Sequence, residues 1–454
     1  MRAQRSIARE STSPAARCSE AETTSGMLLT LQPRRSGSIP PRSNRSNATT
    51  CTMAVRVLVT LLLATVFATC GETRHDQALK LGLLTYISEG SAQNAQDRQR
   101  AFHLAIAHLN QAGGVFGRPV EAVVADTAQN PDRAVGEARR LIEEEHVHAI
   151  VGPSTSVNSL AVAERVAVTA GIPFVSPAAG TARLTNAVDN DFFFRATLSH
   201  RAYAPALARL AGERGYHNVG VLYRDDLWGQ GLTQAFADAW DGSIRSVPVG
   251  IGQTSVADAL RESAAGGAQV LVVLLYPAEA VIAAREALDL GLYDQFLWSG
   301  ALQNLDLIEA IGADALADSY GVGASASGQP APAWVESYVQ AYGEPPVGSY
   351  AREVYDAAIA LALAAQAGNS TDGAVIRDHL RTVVSGPGEP ITAGPDGVAR
   401  ALEVLADGGQ IVYQGASGPL AWDANGDLRQ GYVGVWRYTS DGRIEHVRRI
   451  LHES

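Results

Sequence analysis

The sequence predicts an α/β protein of two lobes, each a parallel sheet flanked by helices. Three observations carry that expectation. From Leu79 onward, short β-rich runs alternate with amphipathic helical stretches, the rhythm of parallel sheets. The rhythm stops at "FFFRATLSH" (Phe192 to His200) and starts again as a second array of about the same size. Beyond Gln329 come helices with little strand, and a hairpin-like tail closes the pattern. Two arrays with trailing helices imply lobes that share the chain rather than two beads on a string. The 454 residues are enough for both.

Each element has its local reason. "LKLGLLTY" reads as the first strand, and Asp97 to Gln111 as a helix with Ala101, Phe102, Ala105, Ile106 and Leu109 on one face. Gly113-Gly114 stops it. "PVEAVVAD" is a second strand, and Asn130-Pro131 opens the next helix, Asn as N-cap and Pro in the first turn. "HAIVG" and "IPFVSP" follow as strands, with a helix from Ser159 to Thr169 between them. The second array runs "NVGVLYRDD", a helix through Ala235, "AQVLVVLLY", a helix from Ala278 to Leu290, "QFLWSG" and "SYGVGA". Helices are expected at 333–342, 352–365 and 373–384. The tail pairs "GYVGVWRY" with "RIEHVRR" across Ser440-Asp441-Gly442.

The net charge of -11 argues against a nucleic-acid partner, which demands basic patches. The basic charge is also lopsided: residues 1–69 hold nine Arg against three Glu. Residues 1–52 are rich in Ser, Arg, Thr and Pro without periodicity, and read as disordered or as lying ahead of the true start at Met53. "MAVRVLVTLLLATVFATC" (residues 53–70) has one Arg, an apolar run and then small residues. This is the shape of a signal peptide over 53–69, too short and wrongly flanked for a stable membrane span. Of three cysteines, Cys18, Cys51 and Cys70, only Cys70 follows the apolar run, and it sits where that run ends. "FATC" is similar to a bacterial lipobox, which would lipidate Cys70 and make 70–78 a tether; cleavage after Ala68 is the alternative. Either way the mature chain has no pair of cysteines to form a disulfide.

The stretch "AIVGPSTSVNSLA" (Ala149 to Ala161) concentrates hydroxyls where a strand meets a helix. A nucleophile elbow requires Gly on both sides of the Ser, and Ser154 has Gly152 on one side but Ser156 on the other. A P-loop requires a Lys, and the single Lys of the chain is Lys80. Gly321 to Ala326 matches a dinucleotide fingerprint on paper, yet Pro330 and Pro332 follow where its helix should begin. His146 and His148 have no third ligand nearby, so no metal or cofactor is expected. What remains is binding without chemistry. Hydroxyls and backbone N–H groups at a helix mouth suit a carboxylate. Trp228, Tyr276 and Trp298, at strand ends of the second array, would supply apolar faces.

At this point the chain resembles the bacterial solute-binding proteins of the Leu/Ile/Val-binding family, from about Leu79 onward. "AIAHLNQAGGVFGRPVEAVVADTAQNPDRAV", "AIVGPSTSVNSLAVA…AGIPFVSPAAGT" and "GPLAWDANGDLRQGYVGVWRY" carry the resemblance through their order and spacing. It implies the type I periplasmic-binding-protein clamshell, with three crossovers near Ser199, Ala324 and Gly434. The lobes would then be 79–199 with 325–433, and 200–324 with 434–454. It further implies an extracytoplasmic monomer that traps a small ligand and delivers it to an ABC permease with ATPase subunits, without catalysis. A sensor of the same fold is the alternative. By the resemblance, Ser156 binds the ligand carboxylate, with Ser154 and Thr155 beside it. Ala178 and Thr181 (or Gly180) add backbone donors, Trp228 and Tyr276 occupy positions of family Tyr residues, and Gln93 and Asn94 lie near the ligand. One departure stands out. Amino-acid binders of the family carry an acid for the ligand ammonium in the loop after the strand like "QFLW", and here Gly300 stands there. Either Asp225 or Asp226 replaces it, or the ligand is not an α-amino acid.

Overall fold

A computed structural model describes residues 77–325 and 331–453. The expected N-terminal extension, signal segment and lipidated Cys70 all lie outside them. The first sheet is wholly parallel, in the order β2-β1-β3-β4-β5. Its strands are β1 (Lys80–Thr85), β2 (Glu121–Asp126), β3 (Ala149–Val151), β4 (Phe174–Ser176) and β5 (Phe193–Arg195). The crossover helices are α1 (Ala92–Gln111), α2 (Pro131–Glu143) and α3 (Ser156–Val162); α3 runs on through a π-helical turn to Ala170. Asn130 caps α2 as its sequence predicts, its side chain accepting from the N–H groups of Asp132 and Arg133.

After β5 the chain crosses to the second lobe and α4 (His200–Glu213), capped by Ser199. There follow β6 (Asn218–Arg224), α5 (Leu227–Asp238), β7 (Ser243–Val249), α6 (Ala257–Ala264) and β8 (Val270–Leu274). Then come α7 (Pro277–Asp289), β9 (Phe296–Ser299), α8 (Asp306–Ile311) and β10 (Tyr320–Ser325). The second crossing lies between Ser325 and Ala331. It leads back to the first lobe and α9 (Pro332–Tyr342), α10 (Ala351–Gly368), α11 (Gly373–Ser385) and α12 (Pro395–Ala406). Here β11 (Glu389–Thr392) and β12 (Ile411–Gln414) add a small parallel pair. The Ala-rich α10 is buried nearly all round, so it forms the centre of that lobe's core.

The final crossing returns to β13 (Gln430–Tyr438) and β14 (Ile444–Glu453), the expected hairpin. The second sheet reads β14-β13-β10-β9-β8-β6-β7. Both β13 neighbours are antiparallel, and the other pairs are parallel. Gly434, expected at the third boundary, lies mid-strand and pairs with Gly323. The switch falls just before Gln430, because β13 pairs with β10 from Tyr432 onward. The dinucleotide-like glycines are strand residues. A side chain on Gly321 would strike the Trp436 ring, and one on Gly323 the backbone of Gly300, so close packing accounts for both. Among the described residues, no helix is long and apolar enough to cross a membrane.

Candidate ligand-binding site

Parallel sheets present their strand C-termini, and the loops that follow, to one edge. Both lobes turn that edge toward a shared cleft. A narrow cavity of about 60 Å³ lies there. Ser154, Thr155, Ser156 and Ala178 line it from the first lobe, and Trp228, Tyr276, Pro277 and Ala301 from the second.

The hydroxyl turn is held from behind. Gly152 has φ of +120°, and a side chain there would strike the Leu84 carbonyl, so only glycine lets β3 turn this close to β1. Ser154 Oγ lies 2.9 Å from Thr85 Oγ1. Thr155 caps α3, its side chain accepting from Asn158 N–H. Ser156 Oγ accepts from the Thr181 N–H at 3.3 Å, which leaves its own proton to donate. Arg195, fully buried, fixes the neighbouring loop: its guanidinium donates to the carbonyls of Ala179 and Thr181, to Thr185 Oγ1 and to Asp427. Asp427 belongs to the C-terminal signature stretch, and Trp422 from the same stretch donates to the Arg195 carbonyl at 2.7 Å.

On the second lobe, the Trp228 and Tyr276 rings meet at a tilt of 39°, 4.9 Å between centroids. Behind them the His200 ring meets Trp228 edge-on and fills the space left open by Gly180. Both His200 ring nitrogens are buried without a partner. Burial, followed by the charge of Arg195, holds its pKa down to about 3, so the ring is neutral.

Seven of the eleven expected residues meet in the cavity: Asn94, Ser154, Thr155, Ser156, Ala178, Trp228 and Tyr276. Four do not line it. Helix α1 begins at Ala92 with Ser91 as cap, so Gln93 and Asn94 sit in its first turn rather than in a loop. The helical rotation separates them, and Gln93 donates to Asp97 instead. The Thr181 N–H is spent on Ser156, and Gly180 accepts from the His200 N–H. Gly300 packs beneath Gly323 and lines a neighbouring cavity, while Ala301 reaches the ligand cleft in its place. Neither proposed replacement acid faces the cavity. Asp226 caps α5 and pairs with Arg224, and Asp225 is exposed and accepts from Gln230. Trp298 is a core residue, its indole N–H donating to Ser319.

The structure adds Tyr86, Gly90, Ser91, Arg98, Gln129, Ser349 and Tyr350 to the lining. Tyr86, Gly90, Ser91 and Gln129 lie in the connections that follow β1 and β2, at the edge where parallel strands end. The sequence does not mark Arg98 or Tyr350, although Tyr350 holds a left-handed φ of +70°, a conformation concentrated at functional sites. Among the described residues, no cluster of His, Cys, Asp and Glu is placed to hold a metal ion.

Two lobes closing over hydroxyl donors and aromatic rings define a ligand-trapping protein. The family model for periplasmic binding proteins matches residues 78–399, and the chain belongs to that family. Its members compared below are binding proteins, not enzymes. The chain is 27% identical over 363 residues to the chemotactic signal transduction system substrate-binding protein BasB of Halobacterium salinarum, across 75% of this chain and 81% of that one. Its fold is similar to that of the branched-chain amino acid transporter substrate-binding protein LivJ of Streptococcus pneumoniae, solved with isoleucine. That match has a TM-score of 0.69 and 21% identity, over 83% of this chain and 100% of the other. A solute-binding protein of Rhodopseudomonas palustris BisB5, solved with 3,4-dihydroxybenzoic acid, has a TM-score of 0.65 and 19% identity, over 83% and 98%.

Proposed function

We propose that the protein captures a small carboxylate-bearing ligand between its lobes at the cell envelope and delivers it to the permease and ATPase subunits of an ABC importer. The candidate ligands are a branched-chain or other amino acid, a related amide or an aromatic acid. The observation that carries this reading is the pairing of donors with aromatic rings across one cleft. Ser154, Thr155 and Ser156 offer their hydroxyls and helix-mouth N–H groups to a carboxylate, while Trp228 and Tyr276 cover its body. Closure of the lobes around the ligand would be the signal read by the permease. The protein acts as a monomer tethered through Cys70.

The likeness to BasB, a component of a chemotactic system, supports a second reading in which the closed form engages a sensor. A thermal-shift screen over amino acids, organic acids, amides and aromatic acids tests the binding step, since a tight ligand raises the melting temperature by mass action. No response to any carboxylate would reject the reading. Uptake of the labelled ligand in cells with and without the gene then separates transport from sensing.

A further inference from the structure

Arg98 is 3% exposed and lines the ligand cavity from the second turn of α1. Its Nε donates to the Ser349 carbonyl at 3.3 Å, while Nη1 is buried with no partner. The guanidinium lies 4.6 Å from the Tyr86 ring centroid and 5.7 Å from that of Tyr350. Aromatic faces stabilise a cation, yet they do not accept its N–H groups in the way a carboxylate does. A buried guanidinium with an idle N–H pays for desolvation without full return.

Among the described residues, no acid supplies the missing acceptor. Asp97, its neighbour on α1, already accepts from Tyr338 Oη, Gln93 Nε2 and the N–H groups of Val347 and Gly348. Glu353 feels the charge of Arg98, but makes no ion pair with it, and burial pushes its pKa up to about 7. The cavity lining itself contains no Asp or Glu. An α-ammonium placed there would face a cation and find no countercharge.

Arg98 and the hydroxyl turn reach the cavity from different elements, α1 and the turn after β3. Ser156 belongs to the wall it shares with Thr181, whereas Arg98 belongs to the Ser349–Tyr350 wall. Behind that wall lies a second cavity of about 420 Å³, also lined by Ser349 and Tyr350. We infer that Arg98 anchors a second carboxylate, so that the cavity takes a dicarboxylate rather than an α-amino acid. This rests on the reading that Ser154, Thr155 and Ser156 hold the first carboxylate. A diacid with a short apolar or aromatic body satisfies both anchors and leaves its middle to Trp228 and Tyr276.

Titration calorimetry on the purified chain tests this with matched pairs: glutarate against valerate, isophthalate against benzoate, with isoleucine as the amino-acid probe. At least one diacid is expected to bind tenfold or more tightly than its monoacid partner and than isoleucine. In Arg98→Gln that ratio falls to near one, and Arg98→Lys restores part of it. Monoacids or isoleucine binding as tightly as every diacid in the wild type overturns the inference while leaving the carboxylate-capture reading intact. So does non-additive loss of monoacid affinity in Arg98→Gln, Ser156→Ala and their double variant, because one carboxylate would then engage both groups. Absence of binding to any carboxylate overturns both readings. The wild-type comparison stands even if the variants fold poorly.

Discussion

Replacing Ser156 with Ala removes one oxygen with an observed duty and a proposed one, and the two are separable by experiment. Ser156 Oγ accepts the Thr181 N–H at 3.3 Å, and its proton remains to be donated to a ligand carboxylate. The first duty concerns the empty protein. Losing a long, neutral hydrogen bond inside a buried loop costs about 1 kcal/mol of folding stability. The second concerns the complex, where a hydrogen bond to a charged oxygen is worth roughly 1.5–3 kcal/mol. At about 1.4 kcal/mol per tenfold, the dissociation constant for a carboxylate rises by about 10- to 150-fold. Calorimetric titration measures the second quantity, and chemical denaturation of the ligand-free protein the first. The primary amide of the same ligand sharpens the test: a neutral carbonyl gains less from Ser156, so Ser156→Ala should weaken acid binding more than amide binding. If the empty variant loses its expected stability while the acid binds within twofold of wild type, Ser156 is a structural residue and the assignment of the carboxylate site is wrong.

Trp228→Phe keeps a ring against Tyr276 but shortens it, and should weaken ligands with apolar or aromatic bodies more than small polar acids, read as a change in their affinity ratio. Asp427→Ala strips the carboxylate from the buried Arg195 guanidinium and should cost about 3–5 kcal/mol in urea denaturation, with Asp427→Asn milder. Equal stability in all three proteins would mean that Arg195 does not depend on this pair. For pH, the unfolded chain protonates His200 below about 6.5, whereas the folded protein keeps it neutral down to about 3. Its contribution is therefore complete above pH 6.5 and lost as the pH falls. By pH 4.5 this amounts to up to about 3 kcal/mol. His108, lowered to about 4 by burial, adds to the same limb, and Glu353, raised to about 7, opposes it. Both remain in His200→Gln, so the variant should lose less stability than wild type between pH 6.5 and 4.5. Parallel curves would contradict the buried, neutral His200.

How far the sequence was legible follows from which forces leave a local mark. The strands of the parallel arrays are mostly apolar runs, and "LKLGLLTY" places β1 to within one residue at either end. The Asn130-Pro131 signal is equally local. β7 has no such mark: it is an edge strand, mostly exposed, with Pro248 inside it, and the sequence pattern passes over it. Helix α1 was legible only from Asp97, because its polar first turn carries no periodicity and depends on the Ser91 cap. The resemblance set Gln93 beside Asn94 near the ligand, and the helix turns one away from the other. Gly431 and Gly434 lie within β13, inside the stretch "GYVGVWRY" expected as a strand, and a side chain on Gly431 would crowd Leu198. Within the site, the hydroxyl turn was visible because Ser and Thr cluster there. Arg98 was not, since a lone Arg on a helix ordinarily reads as part of a solvated face. Its burial depends on Tyr86 and on Ser349–Tyr350, the latter about 250 positions away in the chain.

The late arrival of β13 has a consequence for the growing chain. β10 is hydrogen-bonded on one side to β9 and on the other to residues about a hundred positions later. In the interval the ribosome makes nearly half of the other lobe. Neither lobe can therefore complete its core while the rest is still being synthesised. Loop closure over such separations delays the cooperative step, so the polypeptide stays open until its last strands exist. Under the proposed function at the cell envelope, that delay is useful: the topology itself postpones the knot of contacts that a translocation channel could not pass.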